Sequence, residues 1–445
     1  MAPAPDPPAL PRLVIRDCVI AGEPPRPGAT VVVEGRHIAR VVGAGEAVPP
    51  HPGDWEVDAD GRLLVPGGVD AHTHLSLAPL LRLAGLPERF PGSVRQLRLG
   101  FRHPAEARLD PAALEALATA GALAALRAGV TCAFSLDRGA PGLEAESLAA
   151  AGRAVGRVGL RGLLAYGASD LGGSGFGPAG VRASSDFGRA HREHPRVRGM
   201  AGLDGLFATT NETLEALAGP AAELGLHASV SEDAADLERA WALEGKRPVE
   251  LLEAKGLLGA RTVLAHGSTI GSDEANLIRR ADAVLVTTPR AGAWWGGDPP
   301  PYEILAAHET PMALGTDGVF ADLAGTAVSA TVGMRRRRSG PLPPAEMLGH
   351  VLWPTAAVVA GQFFGERLGA VEEGALADLV LLEWRPSGVP PEGTDGDVAL
   401  LWSGAPAAWA IVDGEVRLRE GQPLGVDPAE VAARASEAAK RVLAD

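Results

Sequence analysis

Through its middle the chain alternates short apolar runs with longer Ala- and Leu-rich stretches, and this alternation constrains the fold more than any other feature. The runs are RLLVPGGVDAHTH, GVTCAFSL, GLRGLLAYGASD, RVRGMAGLDGLFA, GLHASVSE, RTVLAHG, AVLVTTP and PMALGTDG. Segments such as DPAALEALATAGALAALRA and NETLEALAGPAAEL lie between them and read as helices. Strands alternating with helices mark βα units and a parallel sheet. Eight such units predict an α/β fold, a (β/α)8 TIM barrel of about 300 residues. The two ends of the chain are different. RLVIRDCVI, ATVVVEGRHIARVV and WEVDADGRLLV at the start, and LADLVLLEW, DVALLWSG and AWAIVDGEVRLREG near the finish, are strand-like runs broken by Gly and Pro turns. Asp413-Gly414 suits a hairpin turn, and PAEVAARASEAAKRVLA reads as a closing helix. The expected organisation is a small β-sandwich built from residues 1–66 and 367–445, with a barrel domain over 67–366.

The 445 residues carry a net charge of −14. Nucleic-acid binding wants a basic footprint, so DNA and RNA are not expected partners. The one basic run, Arg335–Arg338, reads as a solvated helix face, with a phosphate- or partner-binding patch as the alternative. Two cysteines, Cys18 and Cys132, exclude a disulfide framework or a cysteine-rich zinc motif. The proline-rich start lacks the apolar core of a signal peptide. No apolar run reaches membrane-spanning length, because GALAALRAGVTCAFSL is interrupted by Arg127. A cytoplasmic enzyme without a membrane partner is the expectation.

In such a barrel, polar residues at the C-terminal ends of the strands build the active site. Here those ends carry His72, His74, Asp170, Glu232, His266 and Asp317. His72 and His74 are one residue apart and share a strand face. Imidazole and carboxylate donors of this kind suit Zn(II) or Fe(II). A divalent ion lowers the pKa of water toward neutrality, and Asp317 is placed to accept its proton. His266 is read as orienting that water or stabilising developing charge, and Glu232 as carrying a proton to a ring nitrogen or leaving group. Taken singly, each residue has a plainer reading. Asp317 suits a helix cap, His266 a hydrogen-bonded core position, and Glu232 with Asp233 the start of the helix DAADLERAWAL. Their common place at predicted strand ends favours the chemical reading.

LLVPGGVDAHTHL, GVTCAFSL, GLHASVSED, TVLAHG, TPRAG, ALGTDG and LGAVEEGALADLVLLE together resemble the amidohydrolase superfamily across nearly the whole chain. The aminohydrolase and chlorohydrolase branch is the most similar, with GLRGLLAYGASD and SEDAADLE closest to its SsnA-type members. The resemblance implies a barrel with a split β-sandwich, one divalent metal, hydrolysis of a C–N or similar bond of a small and often cyclic molecule, and a homodimer. Binuclear members bridge two metals through a lysine on a mid-barrel strand. Lys246, Lys255 and Lys440 are the only lysines here, and none falls on a predicted barrel strand, so one metal is expected.

The match has departures. The branch carries a metal-binding histidine three residues before the catalytic glutamate, and that position is Ser229. His227 lies two residues earlier on the same face, about 6–7 Å deeper along the strand. The expected ligands are therefore His72, His74 and Asp317, with His227 or His266 as a fourth. Ala291 and Gly292 stand where the branch usually shows Ser-Asn, and GLDGLFA lacks a histidine common near the barrel mouth. Trp294 and Trp295 line a pocket or pack in the core. Two readings follow. One is an active metal-dependent hydrolase working through Glu232, His266 and Asp317. The other is a weakened or inactive barrel acting as a binding module or subunit.

Overall fold

A computed structural model describes residues 10–22, 25–84, 93–337, 354–384 and 404–444. The Val- and Ile-rich N-terminal stretch forms β1 (Leu13–Ile20), β2 (Arg26–Glu34), β3 (His37–Val42), β4 (Trp55–Asp58) and β5 (Leu63–Pro66). The parallel strands follow: β6 (Gly68–Thr73), β7 (Val130–Asp137), β8 (Arg161–Tyr166), β9 (Val197–Gly199), β10 (Ala201–Leu203), β11 (Leu226–Val230), β12 (Thr262–His266), β13 (Val284–Thr287) and β14 (Met312–Leu314). The chain ends with β15 (Leu379–Leu382), β16 (Ala407–Val412), β17 (Glu415–Arg419), β18 (Gln422–Pro423) and a helix over Pro428–Leu443.

Strands from both chain ends join in one nine-stranded sheet, ordered β18-β17-β16-β15-β5-β1-β2-β3, with β4 beside β1. The two ends meet where β15 pairs antiparallel with β5, Val380 opposite Val65. Alternating apolar residues give this sheet its own core, with Ile15, Val31, Val33, Leu64, Leu379 and Ile411 all buried. The β16–β17 hairpin turns at Asp413 and Gly414, both at positive φ, 57° and 77°. That pair of left-handed residues is what a two-residue hairpin turn requires.

The predicted fourth run is divided at Met200, so the parallel strands form two sheets, β6-β7-β8-β9 and β10-β11-β12-β13-β14. A parallel bridge between Ala168 and Leu203 ties them. At the far edges, Asp317 N donates to His72 O over 2.9 Å. β6, β7, β8, β11, β12, β13 and β14 are buried along their whole length, as strands covered by helices on one side and packed interior on the other should be. Covering helices start on local signals. Asp110 accepts from Ala113 N with Pro111 at the first helical position of Pro111–Arg127, and Thr210 accepts from Thr213 N at Asn211–Leu224. Among the described residues no single helix is long and apolar enough to cross a membrane. The basic run falls at the end of the helix Leu323–Arg337, where Arg335 and Arg336 are exposed and Arg338 lies outside the described residues.

Cys18 and Cys132 are buried and free. Burial pushes the Cys18 thiol up to about 12 and that of Cys132 higher still. Since the thiolate is the reactive form, the native protein is expected to show no fast reaction with an aromatic disulfide reagent at pH 8. Both thiols should react once urea unfolds it. A thiol reacting in the native state within minutes would contradict this packing.

Candidate active site

The C-terminal ends of the parallel strands gather the predicted residues. His72 and His74 project from the end of β6, and Gly315 and Gly318 explain why the last strand lies so close. A Cβ on Gly315 would fall 2.7–2.9 Å from His72 backbone and Cβ atoms, and one on Gly318 would fall 2.6 Å from His74 O. Only glycine at these places lets the LGTDG loop press against the His-Thr-His segment and carry Asp317 to it. Asp70 locks the same contact: it accepts from Thr316 N at 3.0 Å and from Thr316 Oγ1 at 2.5 Å. Burial raises Asp70 to about 7, against the lowering pull of those bonds.

Asp317 Oδ1 lies 3.3 Å from His72 Nε2 and 3.3 Å from His74 Nε2. Donors about 2.0–2.1 Å from a tetrahedral zinc are about 3.3–3.4 Å apart. One donor atom each from His72, His266 and Asp317 all lie within 4.8 Å of one another. His72 Nε2, His74 Nε2, His266 Nε2 and Asp317 Oδ1 are buried and none has a hydrogen-bond partner. Buried polar atoms without partners are rare and costly; three of these lie within 4.8 Å of one another, with His74 Nε2 against the Asp317 oxygen, and the group fits a divalent cation. The charge states agree. Burial lowers His72 to about 4 and His266 well below its ordinary value, so both rings are neutral and can ligate. Burial works to raise Asp317, but the adjoining His72 and His74 rings, with His266, hold it well below the usual carboxylate range.

Other nitrogens orient these rings. His74 Nδ1 contacts Leu136 O, and His266 Nδ1 is 3.0 Å from Thr288 Oγ1. His72 Nδ1 is 2.8 Å from His227 Nε2. His227 therefore sits behind His72, with its Nε2 turned to that ring. Ser229 Oγ is buried without a partner, two residues further along β11. His266 and Asp317 have φ of 81° and 55°. Non-glycine residues held in the left-handed region cluster at functional sites.

Glu232 and Asp233, adjacent in sequence, have separate tasks. Asp233 caps the helix Ala234–Glu244 by accepting from Ala235 N at 2.8 Å. Glu232 turns inward, 3.8 Å from His266 Nε2 and in contact with Arg98 Nη2. Burial pushes it up to about 8, with Arg98 opposing. Asp170 is not part of the cluster. Its carboxylate accepts from Thr210 N, Thr210 Oγ1, Thr213 Oγ1 and Gly177 N, fixing the starts of two helices.

Sequence reading missed a buried ionic group over the site. Arg98 donates to Asp204 O at 2.7 Å. Arg102 donates to Asp204 Oδ1 at 3.0 Å and Glu106 Oε1 at 2.8 Å, and Arg138 donates to Asp204 Oδ2 at 3.2 Å. Burial would raise Asp204, but Arg102 and Arg98 outweigh it and hold it ionised. His103, Glu106 and Asp204 lie close enough to suggest a second cation site. Three guanidinium groups among them make this an ion-pair network instead. Its signal was the four-residue spacing of Arg98, Arg102 and Glu106, which puts them on one helical face. Asp204 belongs to the GLDGLFA stretch that lacks the expected histidine. Trp295 is buried and lines a small cavity with Glu232, His266, Gly292 and Asp317. Trp294 is half-exposed and packs edge-on against Phe320 at 5.8 Å.

Parallel strands with covering helices, and histidines with Asp317 at the strand ends, mark the TIM-barrel class of fold with a site suited to a metal ion. The Amidohydrolase family profile matches residues 63–417, and the chain belongs to that family. It is 28% identical over 437 residues to a 5-methylthioadenosine/S-adenosylhomocysteine deaminase 2 of Archaeoglobus fulgidus, covering 96% of this chain and 98% of that protein. A 5'-deoxyadenosine deaminase of Methanothermobacter thermautotrophicus is 27% identical over 413 residues, 88% of this chain and 90% of that protein. Among solved structures, an adenosine deaminase from Xanthomonas campestris with bound zinc superposes with a TM-score of 0.83 at 21% identity, covering 99% of this chain and all of the other. A mutant atrazine chlorohydrolase from Arthrobacter aurescens, complexed with zinc and atraton, gives 0.79 at 21% identity, covering 96% and 100%. The chain is thus a hydrolase of the amidohydrolase superfamily.

Proposed function

We propose that the chain is an aminohydrolase that removes the exocyclic amino group of a small adenine-nucleoside-like substrate, using one Zn(II) or Fe(II) ion. The observation that carries this reading is the close group of unpartnered His72, His266 and Asp317 donor atoms, with His74 Nε2 against Asp317, beside the inward-facing Glu232. The deaminase names of the relatives support the substrate class. His72, His74 and Asp317 would hold the ion, which when bound supplies Lewis acidity that brings the pKa of water toward neutrality. Asp317, 3.3 Å from both His72 Nε2 and His74 Nε2, accepts the proton of the attacking water. Glu232, with its pKa raised toward neutrality, takes up and returns a proton at the substrate. A C–O bond forms and the C–N bond breaks; the amine leaves as ammonia with the proton Asp317 took from water, while Glu232 gives a proton to the ring nitrogen and regains one from the new hydroxyl. Arg98 fixes the Glu232 carboxylate for that transfer.

This reading takes the two parallel sheets as one closed (β/α)8 barrel over residues 67–366. The hydrogen bond between Asp317 N and His72 O across their outer edges supports closure. It takes the nine-stranded sheet as a β-sandwich of residues 1–66 and 367–445. A homodimeric cytoplasmic enzyme with no nucleic-acid or membrane partner completes it.

Full-length protein loaded with zinc or iron is expected to release ammonia from at least one of adenosine, 5'-deoxyadenosine, 5-methylthioadenosine and S-adenosylhomocysteine. Removing the metal with a chelator should abolish release, and restoring it should recover the rate. Metal-loaded protein that deaminates none of the four would overturn the nucleoside reading.

A further inference from the structure

We infer that His266, and neither His227 nor Ser229, supplies the fourth protein ligand, so that β11 gives the ion no direct donor. The inference rests on the metal-dependent reading above and assigns its coordination. A neutral imidazole has one N–H and one lone pair. Leu136 O can only accept, so the His74 Nδ1 that contacts it carries the proton, and the His74 lone pair is on Nε2. Arg102 Nη2, 3.2 Å from the same Nδ1, is then a neighbour and not a donor to it. His266 can adopt the same pattern: the Thr288 hydroxyl, 3.0 Å from Nδ1, is able to accept its proton, and Nε2 is buried without a partner. His72 completes the set: with its Nε2 facing the ion, its Nδ1 must carry the proton, for which His227 Nε2 at 2.8 Å is the acceptor.

His227 is reversed. In that arrangement its Nε2 lone pair accepts from His72, and Nδ1, the atom without a partner, carries its proton. His227 has nothing to offer a cation. It is a positioning residue that sets the tautomer of His72, the task outer partners of metal-bound histidines perform. Ser229 offers a neutral hydroxyl, which binds zinc poorly beside imidazole. The left-handed backbone at His266, φ 81°, carries its ring to the same point as Asp317. Glu232 Oε2, 3.8 Å from His266 Nε2, makes no hydrogen bond with it. The orientation of water therefore falls to Asp317 and Glu232, not to His266.

Metal content and the visible spectrum of the Co(II)-substituted full-length protein test this. The variant His266→Gly suits the test because glycine relaxes the left-handed backbone and leaves space where an imidazole can enter. It is expected to bind zinc more weakly by more than about a hundredfold, and added imidazole should restore both stoichiometry and spectrum. His227→Ala should weaken binding by about 10- to 100-fold with no rescue by imidazole and little change in the cobalt bands. Ser229→His should tighten binding by no more than a few-fold. Wild-type affinity and spectrum in a folded His266→Gly variant would overturn the assignment and leave the metal-dependent reading standing. A sharp gain in affinity in Ser229→His would do the same. Wild-type protein that binds none of zinc, iron or cobalt would overturn both.

Discussion

Asp317→Asn is expected to lower hydrolysis by about a thousandfold with little change in fold. The carboxylate sits 3.3 Å from both His72 Nε2 and His74 Nε2 and is held ionised there. An amide has the same size but cannot accept a proton from water at neutral pH. Structural disturbance should be small for two reasons. The hydrogen bond from residue 317 to His72 O is made by the backbone and survives the change. The left-handed φ of 55° at this position is one that asparagine tolerates nearly as well as glycine. Steady-state ammonia release, compared with circular dichroism of the same preparation, checks the result. Activity within tenfold of wild type would sink the role given to Asp317.

The second large effect lies far from the chemistry. Arg161 is fully buried at the start of β8. Its Nε donates to both Asp378 oxygens, at 3.0 and 2.9 Å, its Nη1 to Pro195 O at 2.8 Å, and its Nη2 contacts Asp413. The guanidinium also lies over the Phe364 ring, 5.0 Å from its centroid. This one side chain links the parallel strands to the nine-stranded sheet. Arg161→Ala leaves the two buried carboxylates of Asp378 and Asp413 without their shared counter-ion, Arg36 still facing Asp413. Removing one partner of a buried ionic group costs about 3–5 kcal/mol. Urea unfolding should show a loss of that size, whereas Arg153→Ala, at an exposed pair with Glu115, should change stability by less than about 1 kcal/mol. A loss below about 1 kcal/mol for Arg161→Ala would show that the link is not structural.

How far each part could be read from sequence follows from the range of the interactions involved. β6, β7, β8, β11, β12, β13 and β14 were legible because fully buried parallel strands are written as local apolar runs. His72, His74, His266, Asp317 and Glu232 were legible because a polar residue at the end of such a run needs a reason. The division at Met200 was not, since hydrogen-bond register along one run depends on both neighbours. The partner a strand residue meets at its depth was equally hidden. The period of two puts His227 on the same face as Ser229, but only the packed structure shows its Nε2 against the back of His72. Asp170 shared the strand-end signal and turned out to organise helix starts, because Thr210 and Thr213 lie within its reach. The Arg98, Arg102, Glu106 and Asp204 network joins segments about a hundred residues apart, and no local pattern specifies which acids meet which bases.

The pairing of β5 with β15 has a bearing on how the protein is made. Leu64 faces Leu381 across that ladder, and β6, which carries His72 and leads into His74, begins just after β5 ends. On a ribosome adding about 5–20 residues per second, β5 waits roughly 15–60 s for its partner to emerge. Until then the sheet beside the first histidine strand presents an open edge, the kind of surface on which chains stick to one another. The most dangerous interval for a nascent chain is thus built into the topology. Whatever guards that edge during synthesis, a chaperone or an early contact with β1, which is already in place beside it, determines how much finished enzyme a cell obtains.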